Sequence, residues 1–215
     1  MDNVNNVSSS ALLSLGAKLR NLIQKRKFKH FEYTILYGVN VFYKILYAGR
    51  SRHKVFNKIS NKGLWFEKDS VSGPGSTLHE TSAIRTHLPR ILEQYQINSI
   101  IDAGCGDLTW LRQIDLSRVH YTGIDISETI IQHHIKNTQA ERMRFLKADV
   151  CTSTLPAADL LIVRDVLVHL SNEDVQLFLA NLQKSKIKYL LSSTFTQHKN
   201  INISSGGWRD RKSVV

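Results

Sequence analysis

At 215 residues and 42% hydrophobic, the chain can bury one sizeable core with a small appendage, so one main domain is the expectation. Its 2 cysteines, Cys105 and Cys151, have no CxxC spacing and no histidine at zinc-finger distance, which excludes a disulfide framework and a metal centre and fits a reducing compartment. The formal charge of +11 suggests a nucleic-acid binder, yet residues 1–60 hold 11 Lys/Arg against Asp2 and Glu32, a net of +9, and leave +2 for the rest. The bulk of the chain therefore lacks a nucleic-acid footprint.

The chain opens with MDNVNNVSSS, without the basic-then-apolar order of a secretory signal, and is expected to be cytoplasmic. KLRNLIQKRKFKH then leads into a segment where Phe31, Ile35, Val39 and Leu46 recur near helical spacing, interrupted by Glu32, Asn40 and Lys44. Charges within such a segment oppose spanning a bilayer. Residues 18–50 are expected either to lie on an anionic membrane surface at the cytoplasmic face or to pack on the chain's own domain, with RNA binding a third reading. We set this basic helical extension at residues 1–60.

NKGLWFEKDSVSGPGS, punctuated by Gly73, Pro74 and Gly75, reads as a loop into the main domain. Thr77 and Glu80 form a capping-box pattern, and Leu78, Ile84, Leu88, Ile91 and Tyr95 predict a buried helical stripe, with Pro89 at a kink. Beyond it, NSIIDAG, HYTGIDI, MRFLKADV, DLLIV and IKYLLSSTF read as strands. DLTWLRQI, SETIIQHHIKN and SNEDVQLFLANLQKS read as helices, the last capped by Ser171. Such alternation predicts an α/β, Rossmann-like, doubly wound parallel sheet.

Asp102, Asp125, Asp149 and Asp165 each close an apolar strand. In a parallel sheet those ends share one edge, where ligands of open α/β sheets bind. Alone, any one of them reads as a cap or turn residue; together they converge on a ligand. Gly104 and Gly106 permit a tight turn and close ligand approach, but Thr109 stands where a dinucleotide fingerprint needs its third glycine. Asp107 enters the following helix where a pyrophosphate would need positive charge and bare N–H groups, so a cation suits the site better. Asp125, 19 residues beyond Gly106, is spaced to bind ribose hydroxyls. His133 and His134 are adjacent on a helix and point to different faces, which argues against metal ligation.

In this order, IIDAGCGD, YTGIDIS, FLKADV and DLLIVRDVLVHLS resemble the successive motifs of class I S-adenosylmethionine-dependent methyltransferases. SGPGSTLHETSAIR and SSGGWR resemble a bacterial branch of that family whose substrates are mostly unassigned. The resemblance implies S-adenosylmethionine as cofactor. It places Asp102, Gly104, Cys105 and Gly106 around the amino-acid end, Asp125 and Ile126 at the ribose, Asp149 and Val150 at the adenine, and Asp165 beneath the sulfonium. Asp107 stands where the family often has a further glycine and would hold the methionine amine directly.

His169, four residues beyond Asp165, is the candidate general base for a hydroxyl acceptor, or else a residue that packs the strand-to-helix turn. Arg85 would pair with the cofactor carboxylate or a surface acid, Trp110 would pack over the loop, and Ser193, Thr194 and Thr196 would border the acceptor pocket. The class I sheet usually carries strands beyond the fifth, and DRKSVV resembles a sequencing-library adapter read as coding sequence. We therefore expect a methyltransferase domain at 61–209, C-terminally incomplete, and a non-native tail at 210–215. A locus whose codons run on from here to a native stop would refute this.

The sequence thus points to a methyltransferase acting on a small molecule or glycan precursor. An RNA methyltransferase, a non-catalytic S-adenosylmethionine-binding fragment and an NAD(P) oxidoreductase are the alternatives.

Overall fold

In the computed structural model, residues 49–65, 70–194 and 202–207 are described, with 41, 44, 45 and 47 before them. The basic stripe at 18–40, Thr196 and the tail at 210–215 lie outside the described residues. Among the described residues no helix is long and apolar enough to cross a membrane.

The elements are α1 (Arg52–Asn61), α2 (Ser82–Gln94), β1 (Ser99–Ala103), β2 (His120–Asp125), α3 (Glu128–Asn137), β3 (Met143–Lys147), β4 (Ala158–Val163), α4 (Asn172–Lys184) and β5 (Ile187–Ser192). Among the described residues all five strands are parallel, in the order β3-β2-β1-β4-β5. This is the Rossmann-like, doubly wound sheet that strand–helix alternation predicts.

The central strands are buried on both faces. Ile100 and Leu160 turn into one core with Leu88, Tyr121 and Phe145, while Ile101, Leu161 and Val163 turn into the other with Ile124, Leu167 and Phe178. That division follows from alternation along a strand. The edge strands β3 and β5 carry exposed side chains such as Arg144, Lys147, Tyr189 and Leu190. Gly123 lets the Phe145 ring cross β2, because a Cβ there would lie 2.7 Å from the ring.

Three local expectations are corrected. DLTWLRQI forms only a short 3-10 turn, Leu111–Gln113, instead of a helix. Asp107 Oδ1 accepts the Thr109 N–H at 3.0 Å and Leu108 adopts φ +61°, so the chain turns locally where a helix would begin. The Thr77–Glu80 box sits in a turn ahead of α2, whose helix begins at Ser82 and carries Pro89 inside. Its buried face is Leu88 and Leu92, with Ile84 packed alongside, while Leu78 and Tyr95 are exposed.

Helix α1 crosses the boundary set at residue 60 and packs on the domain. It buries Val55 and Ile59 with Tyr47, and Phe56 reaches the core under β4. Its polar side meets the start of α3: Asn57 Oδ1 accepts the Glu128 N–H at 3.2 Å, and Ser60 and Asn61 accept the hydroxyls of Ser127 and Thr129. An N-terminal N–H of α3 is thereby satisfied by a helix some seventy residues earlier in the chain. Ser171 caps α4 as expected, accepting the Asp174 N–H at 3.1 Å.

Candidate active site

A cavity of about 1150 Å³ opens along the C-terminal edge of the sheet. Gly104, Gly106, Asp125, Ile126, Asp149, Val150, Asp165 and His169 all line it, gathered from the ends of four strands.

The loop after β1 is held from both sides. Gly104 and Cys105 both donate their N–H groups to the Ile124 carbonyl, at 2.8 and 3.1 Å. Behind it, the His134 ring donates from Nε2 to the Gly106 carbonyl at 2.6 Å and stacks on Phe145. Burial drives the His134 pKa down and keeps the ring neutral. Gly104 and Gly106 take φ +73° and +57°, the region that glycine enters at least cost. Sequence reasoning weighed His134 only as a metal ligand and missed this role. Its position on the α3 face shared with buried Ile131 was the available signal.

Asp125, at the end of β2, accepts the Ser127 N–H at 2.8 Å and the Gly106 N–H at 3.3 Å. Burial pushes its carboxyl up, against those hydrogen bonds. It couples the glycine loop to β2 while facing the cavity.

Three other residues expected at the cofactor lie off the cavity wall. Asp102 is 3% exposed beneath the loop and accepts the Tyr121 hydroxyl at 2.8 Å. Cys105 turns into the core beside Gly123, where burial pushes its thiol well up. Asp107 is occupied: its Oδ2 accepts from the Ser70 hydroxyl at 2.7 Å and from the N–H groups of Val71 and Ser72 at 2.8 and 3.3 Å. Burial would raise its pKa, but hydrogen bonds from Thr109, Ser70 and Val71 outweigh that and hold it low. Asp107 straps residues 70–72 across the loop, and the strap continues into the cavity wall through Ser72 to Ser76.

The Asp102 carboxyl rises from its ordinary 3.8 to about 6, chiefly by burial. A carboxyl whose folded pKa is raised adds stability that is full below the unfolded pKa and lost as pH climbs through the folded one. Asp102→Asn keeps an acceptor for Tyr121 without the buried charge, so it should match wild type near pH 4 and exceed it by up to about 3 kcal/mol near pH 7.5. Thermal melts across that window check this, and parallel profiles for the two proteins would refute it.

Asp149 and Asp165 both meet cations of the chain itself. Asp149 Oδ2 takes Arg52 Nε at 2.9 Å and Nη2 at 2.8 Å. Asp165, at φ +55°, donates its N–H to the Ser193 hydroxyl at 2.8 Å, tying the ends of β4 and β5 together. Its carboxylate lies 3.2 Å from Arg164, whose other nitrogen donates to the Gly75 carbonyl. Gly75 itself sits so close that a Cβ would be 2.6 Å from Asp165 Oδ2.

His169 lies in the turn after β4. Its Nδ1 donates to the Gly207 carbonyl at 2.9 Å and its ring stacks on Trp65 at 4.2 Å. The flanking segment reinforces this, with the Gly206 N–H on the His169 carbonyl. Neither Trp65 nor Arg52 was expected at the site. Trp110 packs in the core, with Arg164 5.9 Å over its ring. Arg85 bonds the Leu78 carbonyl and is not on the cavity wall, whereas Ser193 and Thr194 are. Among the described residues no group of His, Cys, Asp and Glu could hold a metal ion.

The family model described as "Methyltransferase domain" matches residues 101–185. Several solved structures are similar to this chain. The methyltransferase domain of a bacterial Hen1 protein (CtHen1-C) is 19% identical, with 58% of this chain and 72% of that one covered at a TM-score of 0.47. Magnesium protoporphyrin IX methyltransferase (ChlM) from Synechocystis PCC 6803 with bound SAM is 14% identical, with 70% and 79% covered at 0.48. The N-methyltransferase NodS from Bradyrhizobium japonicum WM9 is 20% identical, with 48% and 60% covered at 0.39. No curated protein sequence matches the chain. Residues 101–185, from β1 through α4, thus match a methyltransferase-domain model, and they lie on a Rossmann-like parallel sheet in the order β3-β2-β1-β4-β5 with the glycine loop between β1 and β2.

Proposed function

We propose that the protein transfers a methyl group from S-adenosylmethionine to a small-molecule or glycan-precursor acceptor. The observation that carries this reading is the pairing of Asp125 with a glycine loop whose residues, DAGCGDLT, include no basic side chain. A carboxylate beside bare loop backbone suits a ribose diol and the ammonium of an amino-acid end, and would repel a pyrophosphate. S-adenosylmethionine supplies a methyl group on a sulfonium, so the chain's own task is largely to bind and align.

In this reading Asp125 accepts both ribose hydroxyls, Ile126 and Val150 flank the adenine, and Asp165, held by Arg164 and Ser193, lines the floor beneath the sulfonium. Asp102 acts from below, by holding Tyr121 and the loop. The acceptor lies against Leu64, Trp65 and Val168, an apolar wall suited to a compact molecule. His169 takes up the acceptor's proton at Nε2, because its Nδ1 proton is committed to the Gly207 carbonyl.

The test is a thermal-shift panel on the full chain with S-adenosylhomocysteine, NAD, NADP and ATP. At a hundred times its Kd the true ligand adds about 2.7 kcal/mol, or roughly 5–10 °C in Tm. A shift with S-adenosylhomocysteine alone is expected, and one with NAD or NADP alone would overturn the reading. Labelled methyl should then enter the small-molecule fraction of a cell extract and not its RNA. His169→Gln should keep the thermal shift while transfer falls about 10²–10⁴-fold.

A further inference from the structure

The resemblance gives Asp149 the task of reading the adenine, but a guanidinium of the chain itself holds its carboxylate. Oδ1 accepts the Cys151 N–H at 3.0 Å, and Oδ2 takes two nitrogens of Arg52. The third guanidinium nitrogen, Nη1, reaches Asp174 Oδ1 in the first turn of α4, whose other oxygen accepts the Ser205 hydroxyl. One arginine thus bridges the end of β3 to the start of α4, and the 202–207 segment braces the far side. All three charged side chains are mostly buried, at 17%, 22% and 14% exposure. A forked, partly desolvated guanidinium between two carboxylates fixes orientation far better than an exposed pair.

Arg52 is also the first residue of α1, and α1 supplies Phe56, Ile59 and Ser60 to the cavity wall. No side chain caps this helix within its own segment. Beside the packing of Val55, Phe56 and Ile59, its polar fastenings are the Arg52 bridge at one end and the Asn57, Ser60 and Asn61 contacts to α3 along its length.

We propose that Arg52 is a positioning residue that fastens α1 across the adenine end of the cavity, with Asp149 as its anchor and not as the reader of the adenine amine. The proposal rests on the reading that the cavity takes an adenosyl compound. It follows that the adenine edge is read by main chain around Val150 and enclosed by α1, and that Asp149 and Arg52 act as one unit.

The test compares wild type, Arg52→Ala, Asp149→Ala and the double variant. Calorimetry uses S-adenosylhomocysteine and its inosine counterpart, which lacks the adenine amine, and hydrogen exchange follows the amides of Arg52–Asn61 without ligand. Each single variant should weaken both ligands by the same factor, about tenfold, with the double variant no weaker than either. The α1 amides should exchange faster in all three variants, while the amides of β1 and β4 stay protected and show that the fold holds. Arg52→Lys, which keeps the charge but not the fork, should recover only part of the affinity. Loss of affinity in Asp149→Ala that is confined to the adenine compound, or unchanged α1 exchange in Arg52→Ala, overturns the proposal. Should wild type bind neither compound, the proposed function fails, while the exchange experiment still decides whether Arg52 fastens α1.

Discussion

Asp125→Ala should lose S-adenosylhomocysteine binding by at least about 100-fold, because hydrogen bonds to a charged group contribute roughly 1.5–3 kcal/mol each and two to the ribose disappear together. The same change releases the Gly106 and Ser127 N–H groups, so the loop and the start of α3 lose their shared anchor. The fold should survive. Asp125 is a buried carboxyl whose pKa is pushed up, which means its charge costs stability in the ligand-free protein. Asp125→Asn keeps an acceptor for one of those N–H groups and should fall between wild type and the alanine variant. Calorimetric titration measures both. Full affinity in Asp125→Ala would remove the ribose assignment and, with it, the strongest argument for an adenosyl ligand.

Gly104→Ala should destabilise the protein by about 2–5 kcal/mol, from roughly 1–2 for a left-handed L-residue and 1–3 for overpacking. The backbone sits at φ +73°, and an added Cβ would stand 2.4 Å from Val166 Cγ2. Val166 is β-branched and stiff, and it follows Asp165, itself at positive φ, so it has little freedom to yield. A fall in Tm of roughly 5–15 °C is expected. Adding Val166→Ala should recover the packing share and leave the backbone share in place. Complete recovery would mean that the φ requirement is unimportant, and no recovery would mean that the clash is.

What the amino-acid order determined by itself is the sheet and its working edge. Apolar runs of strand length, each closed by an acid and separated by periodic helices or turns, allow few arrangements other than a parallel sheet with those acids at one end. Asp125, Asp149 and Asp165 meet at one cavity for that reason. Gly104 and Gly106 were legible because a turn at positive φ leaves a residue-type signature.

The tertiary structure alone decided which acids face the cavity and which are spent on the chain itself. Asp107 looked like a ligand group until Ser70, Val71 and Ser72 came to rest on it, and Asp102 until Tyr121 covered it. Arg52 meets Asp149 across 97 residues, and His134 meets the Gly106 carbonyl across 28. Periodicity along a chain reports which face a side chain takes on its own element. It carries no information about which distant donor fills that side chain's hydrogen-bonding capacity, because packing between elements sets that pairing.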